Sequence, residues 1–296
     1  MPSVSVVIPV LNGADTIGDM LAALTNQAGA AGGVEVLVVD GGSTDATCRI
    51  VNGFPVTLLE EPKRGPAAAR NCGLRQARGE VIAHLDADTV PSRSWVREII
   101  SPFTDPNVVL VGGRTLPYQP ETPAERYFAR SELFDTAAHL TRKPFAFVPS
   151  LNMAVRYAAA MAVDGWREEL ITAEDVDFSY RLLQRFPGGV RYHPQAVLFH
   201  RNRRTDDALR RQAWTYGEGV AHMYELYPEL LHWTIASRMH LRWTMTRRAA
   251  APFLRRAGAL VGLTSGDDVE FAQYHWLWTR WFWRGFFSYR RHHAYR

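Results

Sequence analysis

The chain has 296 residues, 47% hydrophobic and 22% charged, with a formal net charge of +4. That composition suits one large or two modest globular domains and excludes disorder over most of the length. Two cysteines, Cys48 and Cys72, form neither a disulfide framework nor a metal-type spacing, which fits a reducing, cytoplasmic setting.

The N-terminus, MPSVSVVIPVLNG, enters a strand-like run with no basic leader or cleavage site, so no signal peptide is expected. Residues 4–10 (VSVVIPV) are a continuous β-branched run, as in a strand covered on both faces. Residues 14–27 then place Ile17, Met20, Leu21 and Leu24 at helical spacing. A second buried-type strand follows at 34–40 (VEVLVVD), and the next helix opens in STDAT with good N-cap residues. A third strand at 56–61, a helix at 65–77 and a fourth strand at 80–86 continue the alternation. This βαβαβαβ order predicts a Rossmann-like, mainly parallel sheet flanked by helices, with ligands beyond the carboxyl ends of its strands. Further on, a strand is expected at 108–116, one helix over 125–140, a clear helix at 175–186, and a turn and strand at 189–200 ending on His200. Residues 150–156 (SLNMAVR) are ambiguous, and the remainder reads as mostly helical.

The polar signals gather at the predicted strand ends. Pro9 and Asn12 end the first, and Asp40 ends the second within VVDGGSTDAT. A carboxylate at that rim, beside glycines that permit close approach, can accept from the N–H of a nucleotide base, or it can simply cap the next helix. The fourth strand ends on Asp86-Ala87-Asp88. Ionised groups leaving an apolar strand need a positive partner. Two carboxylates spaced i, i+2 can act on one hard divalent cation and its diphosphate, or form an ordinary turn. Glu174 and Asp175 begin a helix, where acids suit the dipole and a carboxylate can also serve as a base.

Taken in order, VSVVIPVLNG, VVDGGSTD, RGPAAARNCGL, HLDADT, SLNMAVR and AEDVDFSYRL resemble family 2 of the inverting, GT-A-fold glycosyltransferases, over about residues 3–200. The resemblance implies an α/β GT-A catalytic domain at 1–205, with a nucleotide-sugar half at about 1–115 and an acceptor half at about 116–205. It implies that Asp40 binds the nucleobase with Pro9 and Asn12 lining the pocket, and that Arg70 reaches the nucleotide. Asp86, with Ala87, would meet the nucleotide-sugar, while Asp88 would ligate Mn2+ or Mg2+. Asp175 would be the catalytic base with Glu174 beside it, and His200, or its rival His193, would complete the metal site. The donor implied is UDP-linked, and the acceptor a lipid-linked, polysaccharide or small-molecule hydroxyl or phosphate. Gly41 stands where many members have a second aspartate, which loosens the expectation for the nucleobase. A non-catalytic nucleotide-sugar-binding member is the alternative; intact Asp40, Asp86, Asp88 and Asp175 speak against it. A nucleotidyltransferase is disfavoured, because VIPVLNGADT lacks the Gly-rich basic loop that would follow its first strand. Trp166 in VDGWREEL, if exposed, would stack on the acceptor; a core position is the competing reading.

Residues 206–296 form a basic, aromatic-rich helical extension. From 201 onward, 16 Lys+Arg face 8 Asp+Glu, and seven of the nine tryptophans lie there. On a helix over 269–296, Phe271, Tyr274, Trp278, Trp281, Phe282 and Tyr289 share a face, with Arg280, Arg284 and Arg291 roughly opposite. Such a helix suits an anionic membrane surface, with peripheral localisation at its cytoplasmic side. It equally suits packing on the catalytic domain or a homodimer contact. No segment approaches the ~20 apolar residues of a spanning helix. Without a recognition motif beside the charge, nucleic-acid binding is not expected.

Overall fold

The computed structural model describes residues 3–31, 34–231 and 234–293. The chain divides into two compact units: Met1–Tyr118 with Phe134–Arg201, and Gln119–Leu133 with Asn202–Arg296. A boundary at 205 thus leaves 119–133 on the catalytic side, whereas in the structure these residues cluster with the C-terminal helices.

The first unit begins β1 (Val4–Val10), α1 (Ile17–Ala31), β2 (Val34–Asp40), α2 (Thr47–Val51), β3 (Thr57–Glu60), α3 (Pro66–Gln76) and β4 (Val81–Leu85). The four strands pair in parallel in the order β3-β2-β1-β4. β1 is apolar on both faces because both are covered. Ile17, Met20, Leu21 and Leu24 of α1 are fully buried, each contributing about 1.5–3 kcal/mol by leaving water. α3 approaches the sheet closely because Gly73 faces Val7, where a Cβ would overlap the valine side chain. That approach brings Arg70, one turn earlier, beneath the carboxyl edge.

Beyond β4 the sheet is mixed rather than parallel. A tight turn closed by Thr89 N–H to the Asp86 carbonyl (3.2 Å) leads into β5 (Thr89–Pro91), a short strand the periodicity does not disclose. Then come α4 (Trp95–Ile100) and β6 (Leu110–Pro117). The single helix expected over 125–140 is two: α5 (Pro123–Arg130), in the second unit, and α6 (Thr136–Leu140), in the first. Thr122 and Glu125 form a capping box that starts α5, the backbone turns extended at Ser131, and the Asp135 carboxylate caps α6. β7 (Asn152–Arg156), α7 (Tyr157–Met161), α8 (Glu174–Arg185) and β8 (Val190–His200) complete the unit. The ambiguous SLNMAVR segment is therefore largely strand. β7 runs antiparallel to both β4 and β6, β8 is parallel to β6, and β5 is antiparallel to β8. Among the described residues this gives one eight-stranded sheet ordered β3-β2-β1-β4-β7-β6-β8-β5.

The second unit joins α5 to α9 (Asp206–Leu226), α10 (Ile235–Leu260) and α11 (Gly266–His293). No helix among the described residues is long and apolar enough to cross a membrane. The aromatic face expected for the tail packs within this unit, with Trp278 buried and Phe271, Tyr274, Trp281, Phe282 and Tyr289 half-buried. Phe271, Tyr274 and Trp278 of α11 lie 5.5–6.4 Å from the ring of Tyr127, and Trp281 lies 6.0 Å from Trp214. Arg280, Arg284 and Arg291 are exposed, as their opposite placement requires; residues 294–296 lie outside the described residues. α9 and α11 meet backbone to backbone at Gly217 and Gly285, where a Cβ would overlap the carbonyls of Phe282 and Trp214. Gly217→Ala is therefore expected to cost about 1–3 kcal/mol, read as a lower denaturant midpoint with unchanged m-value.

Candidate active site

Parallel register sets the first part of the site. Val10 pairs with Asp40 and Asp40 with Glu60, so three strand ends share one edge. Asp40 is 4% exposed. Its Oδ2 accepts from the N–H groups of Gly42 (3.0 Å) and Ser43 (2.9 Å), while Oδ1 is buried and accepts from no described residue. Gly42 has φ +92°, a conformation open to glycine, with nothing near the position of a Cβ. The loop after β1 is sewn to this one: Asn12, left-handed at φ 51°, donates its N–H to Ser43 Oγ (2.8 Å) and accepts from Thr44 N–H (2.9 Å). Pro9 is half-buried in β1 immediately before this loop. A Cβ on Gly13 would stand 3.6 Å from the Cβ of Ala87, so the loop after β1 adjoins the Asp86-Ala87-Asp88 turn.

The partner required by Asp86 is in the protein itself. Arg70, 2% exposed, donates from Nη2 to Asp86 Oδ1 (2.9 Å) and from Nη1 to Glu174 Oε1 (2.7 Å). One guanidinium thus ties the end of β4 to the first residue of α8. Burial pushes Glu174 up despite the opposing charge of Arg70. Arg70 therefore orients two carboxylates from a buried position.

Asp88 faces His200. The antiparallel ladder pairs Thr89 with His200, and Arg201 N–H donates to the Asp88 carbonyl (2.9 Å). This register places His200 Nε2 3.5 Å from Asp88 Oδ1. His193 lies elsewhere, 3.2 Å from Glu98 Oε2, so of the two histidines only His200 accompanies Asp88. No cluster of three or more His, Cys, Asp or Glu ligands is found among the described residues. The pair still fits Mn2+ or Mg2+ bound with a diphosphate, since such ions often take one or two protein ligands and the rest from phosphate and water. A carboxylate oxygen and an imidazole nitrogen are acceptable donors for Mn2+.

Asp175 hangs between α8 and β7. Its Oδ2 accepts from Ser150 N–H (3.2 Å) and its Oδ1 from Val176 N–H (2.9 Å). Ser150 precedes Asn152, which pairs with Leu85, the residue before Asp86. Asp175 is therefore held at the same edge of the sheet. Burial, reinforced by the neighbouring Glu174 charge, raises its carboxyl to about 7. The preceding residue but one, Ala173, is left-handed at φ 63°, a strained conformation for a residue with a Cβ.

Trp166 is not exposed for an acceptor. It is buried, stacked on Phe178 at 4.2 Å, edge-on to His84 at 5.1 Å, and lies 4.9 Å beneath the Arg70 guanidinium. It is the floor under Arg70. Two positioning residues escape a reading for motifs. Asn71 clamps the Trp166 backbone from both sides, donating to its carbonyl and accepting from its N–H at 2.8 Å. Asp177, fully buried, pairs with Arg181 (2.7 Å) and Arg167 (3.3 Å), and Arg181 reaches the Gly165 carbonyl (2.9 Å). The i, i+4 spacing of Asp177 and Arg181 was the available signal for that pair.

Known proteins share this chain's sequence family and fold. The profile described as Glycosyl transferase family 2 matches residues 5–162, more than half of the chain. The chain is 32% identical over 236 residues to a pre-mycofactocin glycosyltransferase of Mycobacterium tuberculosis, covering 76% of itself and 48% of that protein. It is 34% identical over 191 residues to glycosyltransferase AglE of Haloferax volcanii, 61% of each. It thus spans about half to three-fifths of the length of these relatives. Among solved structures, the mannosyltransferase PcManGT of Pyrobaculum calidifontis, held with GDP-Man and Mn2+, superposes with TM-score 0.64 at 21% identity over 94% of this chain and 85% of that one. Glucosyl-3-phosphoglycerate synthase of Mycobacterium tuberculosis, held with Mn2+ and UDP, gives TM-score 0.57 at 20% identity over 76% and 79%. These likenesses establish the GT-A fold. The chain belongs to glycosyl transferase family 2, a family of enzymes.

Proposed function

We propose that the chain transfers a glycosyl group from a UDP-linked sugar to a hydroxyl or phosphate acceptor, with inversion at the anomeric carbon and with Mn2+ or Mg2+ bound. The observation that carries this reading is the Arg70 bridge, which joins the carboxylate ending β4 to the helix start bearing Asp175. Asp40 Oδ1 has the buried, unfilled acceptor capacity that a base N–H would take, with Pro9 and Asn12 beside it. Asp86 and Ala87 line the path of the diphosphate. Asp88 and His200 would hold the cation, which when bound offsets the negative charge developing on the leaving diphosphate. Asp175 takes the proton of the attacking hydroxyl, and Glu174, fixed by Arg70, positions it.

The solved relatives contain UDP in one case and GDP-Man in the other, so a test needs both nucleotide classes. Purified protein is incubated with Mn2+ and a panel of UDP-, GDP- and TDP-sugars, and nucleoside diphosphate release is followed by chromatography. Release should be fastest with a UDP-sugar and should stop on chelation. Asp88→Asn should slow it about 100-fold or more. The anomeric proton of the product, read by NMR, reports inversion. Binding of a donor without turnover under any condition would replace this reading with a non-catalytic one.

A further inference from the structure

Within the second unit, α11 spends its aromatic face on α5 and α9, whereas α10 leaves an apolar face uncovered. Ile235, Met239, Trp243, Phe253, Leu254 and Leu260 of α10 are 57–90% exposed. They recur at spacings that keep them in one stripe, about a third of the helix circumference wide, with small residues such as Ala250 and Ala257 at the turns between. Arg238 and Arg242 flank the stripe on one side. Arg247 flanks it on the other, its guanidinium 4.9 Å from the Trp243 ring. From Leu231 to Gly266 the sequence has six arginines and no Asp or Glu. Arg238, Arg242 and Arg255 form no ion pair with any described residue.

We infer that α10 lies on an anionic phospholipid surface, its apolar stripe at the headgroup boundary and its arginines on lipid phosphates. An amphipathic helix with Arg on its polar border and Trp, Phe and Leu on its apolar face binds in the plane of a bilayer. A second copy of the chain fits this face poorly, because an isologous contact would set an arginine-only segment against itself. The inference differs from the expectation for 269–296: the docking element is α10, since the aromatic face of α11 is already packed against Tyr127 and Trp214. It does not depend on the reaction proposed above.

The test is flotation of the full chain with vesicles of phosphatidylcholine, alone or with about 30% phosphatidylglycerol, at low and high salt. Binding should appear with the anionic vesicles and fall at least tenfold without the anionic lipid or at high salt. Each arginine near such a surface strengthens binding about fivefold, so Arg238→Gln with Arg242→Gln should weaken it about 25-fold at low salt. Trp243→Glu with Phe253→Glu should abolish it. These side chains are exposed, so circular dichroism and thermal unfolding should be unchanged. Absence of wild-type binding to anionic vesicles would overturn the inference. So would unaltered binding by the glutamate variant, or a solution dimer that the same variant dissociates.

Discussion

Asp175→Asn is expected to lower the rate of sugar transfer about 10²–10⁴-fold while leaving donor binding within a few-fold of wild type. The amide keeps the shape and can still accept from Ser150 N–H, but it cannot take a proton. In the folded chain the Asp175 carboxyl stands at about 7, against an ordinary aspartate value of 3.8. A base must be ionised, so kcat/KM of the wild type should fall about tenfold per pH unit below this value and level off above it. Stability carries a second sign. The folded state holds a proton that the unfolded chain releases between about pH 4 and 7, so this contribution is full below the lower value and is lost as pH rises through the higher. In Asp175→Asn that decline should vanish, together with the acid limb of the rate. An acid limb of the same midpoint in the residual activity of the variant would reject Asp175 as the base.

Arg70→Met should be among the most destabilising substitutions in the first unit, at about 3–5 kcal/mol. The guanidinium is nearly inaccessible and serves Asp86 and Glu174 at once. Its removal leaves the Glu174 carboxyl buried with neither its hydrogen-bond donor nor a compensating charge. Arg70→Lys should recover part of the loss, since an ammonium retains the charge but lacks the planar fork that serves two carboxylates. Adding Glu174→Gln to Arg70→Met should recover a further part, and chemical denaturation of the wild type, Arg70→Met, Glu174→Gln and the double variant measures the coupling. Arg70 also lowers the Asp175 carboxyl, so in a variant that still folds the acid limb should move to higher pH. A loss under 1 kcal/mol with an unmoved acid limb would show that Arg70 does not organise the site.

The parallel half of the sheet was legible because β1, β2 and β4 are apolar runs separated by helices of regular period. The rim residues were legible too, since Asp40, Asp86, Asp88 and Asp175 interrupt those patterns with charge. The positive partner of Asp86 was harder to read. A divalent cation was the natural inference from two carboxylates, yet the direct partner of Asp86 is Arg70, sixteen residues earlier in sequence. Only the close packing of α3 at Gly73 brings it there. β5 was hidden because three residues cannot show a period, and its pairing with β8 is what separates His200 from His193. Trp166 shows a different limit: a lone aromatic in a turn looks the same whether it faces a ligand or roofs a core. The break between α5 and α6 had local signals in Ser131 and Asp135, but a continuous helical pattern across them outweighed those signals.

The path of the backbone through the two units has an evolutionary corollary. The chain leaves the first unit after Tyr118, returns at Phe134 and leaves again after Arg201. Recombination at a single junction therefore cannot exchange the C-terminal helices for others. The incoming piece would have to accept α5 as well, with Tyr127 and Phe128 already shaped to the aromatic residues of α11. The two regions are bound to diversify together, and a lineage that remodels α11 should carry matching changes in the short insertion at 119–133.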